Sequence, residues 1–147
     1  MLISIWRILE MIIKEATTQT ELFMCMQVRG RVFIDEQHVS SAEEIDEEDR
    51  TCRHFIAIID GNPVATMRAI KHDTYTKLGR ICVLREYRKQ HIGETLVNYV
   101  MQDIKGEFHL GAQLQAIGFY ERLGFTCYGE EFMDANIPHR MMKKEVI

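Results

Sequence analysis

The stretch from Arg80 to Ile104 constrains this chain more than any other. An apolar, strand-like run, Arg80-Ile81-Cys82-Val83-Leu84, leads into the basic turn Arg88-Lys89-Gln90-His91-Ile92-Gly93-Glu94-Thr95-Leu96. An amphipathic helical run follows, with Ile92, Leu96, Tyr99, Val100 and Ile104 on one face. A turn of this kind is a phosphate site. The first backbone N–H groups of a helix have no partner within it, and the helix dipole adds partial positive charge there. Arg88 and Lys89 add full charges, and Gly93 lets the backbone come close to a ligand. The spacing suits a ligand with a pyrophosphate, and coenzyme A is one such ligand. Taken alone, Arg88 and Lys89 also read as ordinary surface bases.

The 147 residues fit one domain, residues 1–147, and 46% of them are hydrophobic, enough for a real core. The net charge of -4 argues against general nucleic-acid binding, which needs a basic face. Charge is unevenly spread. From Asp35 to Arg50 there are eight acids and one base, and from Arg68 to Lys89 seven bases and two acids. An anionic cofactor could sit at the basic region and a cationic acceptor at the acidic one. The blander reading of the acidic run is a solvated loop or helix end.

Cys25, Cys52, Cys82 and Cys127 are widely spaced and contain no C-x-x-C pair, which excludes a recognisable zinc motif. No metal is expected. The simplest reading is reduced cysteines in a cytoplasmic protein. Cys82 lies in an apolar strand and reads as a small core residue rather than a nucleophile. The N-terminal MLISIWRILEMIIKE has neither a basic region before its apolar run nor a small-residue cleavage site, so it is not read as a signal peptide. Arg7, Glu10 and Lys14 interrupt it too often for a membrane span. Met11 opens the strand-like M-I-I-K-E-A, and residues 1–10 read as an extension outside the fold.

Periodicity gives the remaining elements. Ile12 to Thr17 reads as a strand. A helix capped by Thr20 or a neighbouring Thr follows and ends near Glu36. Its apolar positions are Leu22, Phe23, Met26, Val28, Val32 and Phe33. Ser40 or Ser41 caps a short acidic turn. His54–Asp60, Val64–Ile70 and Leu78–Leu84 read as an antiparallel meander, turned at Gly61-Asn62-Pro63 and at His72-Asp73-Thr74. After the helix closed by Gly106 come a strand, Phe108–Gln113, and a short helix, Gln115–Leu123, closed by Gly124. A last hairpin joins Phe125–Phe132 to Met141–Val146 around Asn136-Ile137-Pro138. The fold class is α/β, a central twisted mixed sheet with helices on both faces.

The phosphate turn, the strand after its helix and A-Q-L-Q-A-I-G-F-Y-E-R-L-G-F (112–125) together resemble the GNAT superfamily of acetyl-CoA-dependent N-acyltransferases. The order of elements is similar to that family from Met11 onward. The family turn is R/Q-x-x-G-x-G/A. Here His91 stands at the first glycine, and its side chain resists positive φ. V-R-G-R-V-F-I-D-E-Q-H-V, E-E-I-D-E and I-P-H resemble a bacterial branch of small members.

The resemblance implies direct attack of a primary amine on the acetyl thioester, with acetyl-CoA as cosubstrate and a small-molecule or peptide amine as acceptor. The backbone at Ile81, Cys82 and Val83 would pair with the pantetheine arm. Arg88, Lys89, Gln90, His91, Ile92, Gly93, Glu94 and Thr95 would hold the pyrophosphate, chiefly through N–H groups. Tyr120 matches the family's acid for the leaving thiolate, and a phenol is a reasonable donor to it. Gln113 stands where many members carry Asn and would hydrogen-bond the pantetheine amide. For the base, Glu36, Glu43, Glu44 and His139 are candidates. Histidine ordinarily titrates near neutral pH. Gln37 and His38 would shape the acceptor pocket. The family also brings homodimers into view, although nothing in the sequence fixes an interface. A noncatalytic acyl-CoA-binding or regulatory module on the same fold is the alternative, and the retained Tyr120 argues against it.

Overall fold

A computed structural model describes residues 10–146. Seven strands form one mixed sheet in the order β1-β2-β3-β4-β5-β7-β6. They are β1 (Met11–Glu15), β2 (Arg53–Ile59), β3 (Asn62–Lys71), β4 (Thr76–Val83), β5 (Phe108–Gln113), β6 (Thr126–Asp134) and β7 (Ile137–Lys144). The helices are α1 (Gln19–Arg29), α2 (Ser41–Glu44), α3 (Ile92–Ile104) and α4 (Ile117–Arg122). All neighbouring strands run antiparallel except β4 and β5, which are parallel and joined through α3. This mixed sheet is the expected one. The reading of residues 1–10 as an extension falls, for residues 1–9, outside the described residues. Glu10 itself accepts a hydrogen bond from the Asp60 N–H at 3.4 Å.

Side-chain alternation on the strands decides which helix covers which face. Phe55, Ala57, Met67, Ala69, Leu78 and Leu110 pack with Ile92, Leu96, Val97, Val100 and Met101 of α3 in the main core. The opposite face presents Thr66, Arg68 and Cys82 toward α1, where Val28, Val32, Cys82 and Leu84 form a smaller cluster. Among the described residues no helix is long and apolar enough to cross a membrane.

Local chemistry sets the element ends. Thr18 caps α1: its hydroxyl accepts the Glu21 N–H at 3.1 Å, and the Glu21 carboxylate accepts the Thr18 N–H at 3.1 Å. The cap thus lies just before Thr20. The expected long helix divides, with α1 ending at Arg29 and a wider π turn running from Gly30 to Glu36. Phe23 was expected on the apolar face but is exposed; the buried positions of α1 are Cys25, Val28 and Arg29. The last hairpin also differs from expectation. Ala135 and Asn136 both have positive φ and form a two-residue turn, so Ile137 and Pro138 begin β7. Pro138 lies just beyond the β5 ladder, which ends at His139, so its missing N–H costs no bond there.

The acidic run is solvated only in part: Asp35, Glu43, Glu47 and Glu48 are exposed, whereas Glu44, Asp46 and Asp49 turn toward arginines. Arg29 is 1% exposed and is surrounded by it. Its guanidinium donates to Glu44 at 2.9–3.2 Å and to Asp49 at 2.7 and 3.1 Å. Arg68 donates to Asp46 and Asp49, and Arg80 to Glu44. Three acids of the run therefore neutralise three arginines rising from α1 and the sheet. Burial alone would raise the Asp49 carboxyl, but hydrogen bonds from Arg29, the Asp46 N–H and Arg68 outweigh it and hold the group well below the usual carboxylate range.

Removing one member of such a network leaves the others charged and buried. Arg29→Ala should lower unfolding free energy by about 3 kcal/mol or more in urea titrations at pH 7. The depressed Asp49 value fixes the sign with pH. Its contribution is present above the ordinary aspartate value of about 4 and is lost as pH falls through the lowered folded value. Asp49→Asn should therefore flatten the loss of stability on acidification below about pH 4. An unchanged acid limb would exclude this account.

Candidate active site

The site begins where two strands part. β4 and β5 pair only over Thr76–Leu78 and Phe108–Leu110. Beyond that, β4 stays bound to β3 as far as Val83, and β5 stays bound to β7 as far as Gln113. Each strand is held on its outer side, so a gap opens between their inner edges. A bulge sharpens the bend. The register shifts between Arg68↔Gly79 and Thr66↔Cys82, with Arg80 at φ 51°. The resulting cleft has a volume of about 820 Å³. Ile81, Cys82 and Val83 form one wall, and Gln113, Ala116, Phe119 and Tyr120 the other. The inner edge of β4 offers backbone groups with no β5 partner, a ready strand partner for an extended amide-bearing chain.

The basic turn lies at the mouth of this cleft. Arg88, Lys89, His91, Ile92, Gly93 and Glu94 line it. Lys89 and His91 both take left-handed φ, 64° and 62°. His91 thus adopts the conformation its side chain disfavours, at a cost of about 1 kcal/mol or more. Such a turn gathers N–H groups into an anion-binding concavity ahead of α3. Gly93 has a different task from a conformational one. A Cβ there would meet Val83 Cγ2 at 3.4 Å and Phe119 Cζ at 3.5 Å, so the glycine lets α3 approach β4 and α4 closely.

Not every predicted side chain points into the site. Arg88 donates bidentately to Glu36 at 2.7 and 2.8 Å and through Nε to the Val83 carbonyl at 2.9 Å. It braces the π turn against β4 rather than presenting its charge to a ligand. Gln90 and Thr95 are exposed and do not line the cleft, and the Thr95 hydroxyl donates back to the His91 carbonyl at 2.7 Å.

A second, smaller cavity of about 200 Å³ lies behind the first. Phe33, Gln37, Ile81, Gln113 and Tyr120 line both. Gln113 donates to Gln37 at 2.9 Å across the junction. Tyr120 is 8% exposed, and burial, with the nearby Cys82, raises its hydroxyl well above the usual phenol range. The hydroxyl therefore keeps its proton at neutral pH. His139 lines the smaller cavity and stacks on Phe132 with ring centroids 5.6 Å apart. Its Nδ1 lies 2.6 Å from the Ile137 carbonyl oxygen, which can only accept. In the neutral ring the proton therefore sits on Nδ1, which leaves the lone pair on Nε2.

The carboxylate candidates fare unequally. Glu43 lines the smaller cavity and is exposed. Glu36 is held below the ordinary range by the Arg88 hydrogen bond and is committed to Arg88 and Arg85. Glu44, expected as a base, also lines the smaller cavity but is 2% exposed; its carboxylate accepts from Arg29 and forms an ion pair with Arg80, whose N–H groups donate to the Glu44 carbonyl. These pairings tie it into the buried charge network. Sequence reasoning missed Arg68, Lys77, Gly79 and Asp134, which also line the smaller cavity. Gly79, a glycine inside a strand, was the one legible signal among them.

A family model described as acetyltransferase (GNAT) domain matches residues 13–146. This chain belongs to that family. The Bacillus subtilis protein named Uncharacterized protein YyaT is 40% identical over 141 residues, 91% of this chain and 95% of its own. Uncharacterized N-acetyltransferase YjcF, also of Bacillus subtilis, is 36% identical over 135 residues, 88% of this chain and 96% of its own. The crystal structure of an acyl-CoA N-acyltransferase from Pseudomonas aeruginosa superposes with a TM-score of 0.80 at 26% identity, covering 93% of this chain and 99% of that one.

The thiols test the electrostatics of the site. Burial pushes Cys82 and Cys25 up, despite nearby arginines, and neither forms a thiolate at neutral pH. Ellman's reagent at pH 8 should leave both unlabelled in the folded protein and label both in denaturant. Rapid labelling of native Cys82, mapped by mass spectrometry, would contradict this.

Proposed function

We propose that this protein is an N-acetyltransferase that moves an acetyl group from acetyl-CoA to a primary amine within a ternary complex. The observation that carries the reading is the meeting of two cavities at Tyr120. The larger suits a pantetheine arm with its pyrophosphate at the turn, and the smaller suits an acceptor.

The chemistry follows from the geometry. The pantetheine lies along the free edge of β4 beside Ile81, Cys82 and Val83, with Gln113 opposite. N–H groups of the turn from Lys89 to Glu94 bind the pyrophosphate. The acceptor amine enters from the smaller cavity, and its proton passes to Nε2 of His139. The amine nitrogen attacks the thioester carbon, the C–S bond breaks, and the Tyr120 O–H protonates the departing sulfur. Burial weakens the phenol as an acid, but the same dry site raises the proton affinity of the thiolate, so transfer between them remains matched. Holding both reactants face to face removes much of the entropic barrier. Support comes from family membership, the split sheet, Tyr120 at the junction of the two cavities and His139 in the smaller one. Glu44 then serves as an anchor, fixing Arg80 at the bulge.

Calorimetric titration should show acetyl-CoA and CoA binding in preference to ATP. Binding without turnover of any amine would favour a noncatalytic acyl-CoA module instead. Gly93→Val should weaken that binding by overfilling the contact with Val83 and Phe119; unchanged affinity would remove the turn from the site. Tyr120→Phe should reduce kcat about 10²-fold or more while leaving acetyl-CoA affinity nearly intact. Equal loss of both would rule out its role as acid. His139→Gln should lower kcat while leaving acetyl-CoA affinity nearly intact, and unchanged turnover would remove it from the role of base.

A further inference from the structure

The smaller cavity contains a binding group that acetyl transfer alone does not require. Arg68 stands on β3 and is 6% exposed. Its Nη1 donates to Asp46 at 2.7 Å and to Asp49 at 2.9 Å, and its Nη2 donates to Asp46 at 2.9 Å. An arginine has five N–H donors in one planar fork. Nη1 is fully used, and one Nη2 hydrogen is used. The remaining two donors, on Nε and Nη2, share one edge of the guanidinium. Nε is buried and has no hydrogen-bond partner among the described residues. Buried donors are ordinarily paired, so an unpaired one on a side chain that lines a cavity points to a missing acceptor.

The residue opposite confirms that space is available. Gly79 faces Arg68 directly across the β3–β4 ladder. A Cβ at position 79 would find a single heavy atom within 4 Å, namely Arg68 Nε at 4.0 Å. The absence of a side chain at 79 keeps the ground beside the free edge open. Lys77, two residues earlier, lines the same cavity and has no ion-pair partner among the described residues. Glu43 and Asp134 line it as well, and neither carboxylate has an ion-pair partner among the described residues. The cavity thus offers both signs of charge within a small volume, which does not suit a polycation.

We propose that the acceptor is a zwitterion, a primary amine that also bears a carboxylate, such as a free amino acid. This rests on the acetyltransferase reading of the same site. The open edge of Arg68 receives the carboxylate, whose planar pair of oxygens matches the two parallel donors. Lys77 adds attraction, and Glu43 and Asp134 draw in the ammonium group before it is deprotonated. Gly79 is the specificity-determining position because any side chain there occupies the carboxylate's place.

The test measures acetylation of the common amino acids, each beside its amide and its decarboxylated amine, by wild type, Arg68→Lys and Gly79→Val. Thermal melts and acetyl-CoA titrations accompany each variant. In wild type, at least one amino acid should have a KM about tenfold or more below that of its amide. Gly79→Val should erase that preference while acetyl-CoA affinity and melting temperature stay close to wild type. Arg68→Lys keeps the charge but loses the fork, and should erase it too. Equal kcat/KM for amino acid, amide and amine in wild type overturns the proposal, as does a preference that survives Gly79→Val. Acetyl-CoA binding without turnover of any amino acid also overturns it. Failure to bind acetyl-CoA in a folded protein overturns the acetyltransferase reading itself.

Discussion

The parting of β4 and β5 is the constraint on which the rest of this molecule depends. Two adjacent parallel strands share only three residue pairs, and each then follows its other neighbour. Backbone groups on the inner edges are left without a sheet partner, which is costly unless a ligand or water satisfies them. The same parting aims the end of β4 at the turn before α3 and the end of β5 at Tyr120. The cleft, the basic turn at its mouth and the place of Tyr120 are therefore consequences of one topological event.

The buried charge network keeps that event in register. Arg80 sits at the bulge with positive φ and is tied to Glu44, which is tied to Arg29 of α1. Arg88 ties the far end of β4 to the π turn through Glu36. Ionic groups so buried contribute little net stability over apolar residues of similar size, but breaking one partnership is costly. Their effect is to fix where helix, bulge and strand end lie relative to one another. The wider π turn after α1 adds to this, turning Phe33 and Gln37 into the junction of the two cavities.

Much of the site was legible along the chain because it is local. The turn, its helix and the Phe119-Tyr120 segment carry their chemistry within short windows, and glycine, base and aromatic positions mark them. The roles of charged side chains were not legible. Arg88 read as a phosphate ligand and Glu44 as a base, yet each is committed to a partner distant in sequence, Glu36 and Arg29. A charge states its sign in the sequence but not its partner. Phe23 shows the same limit for apolar residues: it falls on the helical period, yet the inward face of α1 is set by Cys25, Val28 and the buried Arg29.

By itself, the sequence determined the order of elements, the mixed α/β sheet and the position of the basic turn before α3, since periodicity, turn residues and helix caps act over a few neighbours. Only the tertiary structure decided which acids are neutralised, which tautomer His139 holds, where the last turn falls and why Gly79 lies open beside Arg68. Those depend on distances between strands far apart in the chain. Burial, charge pairing and unpaired donors exist only once the strands have been brought together.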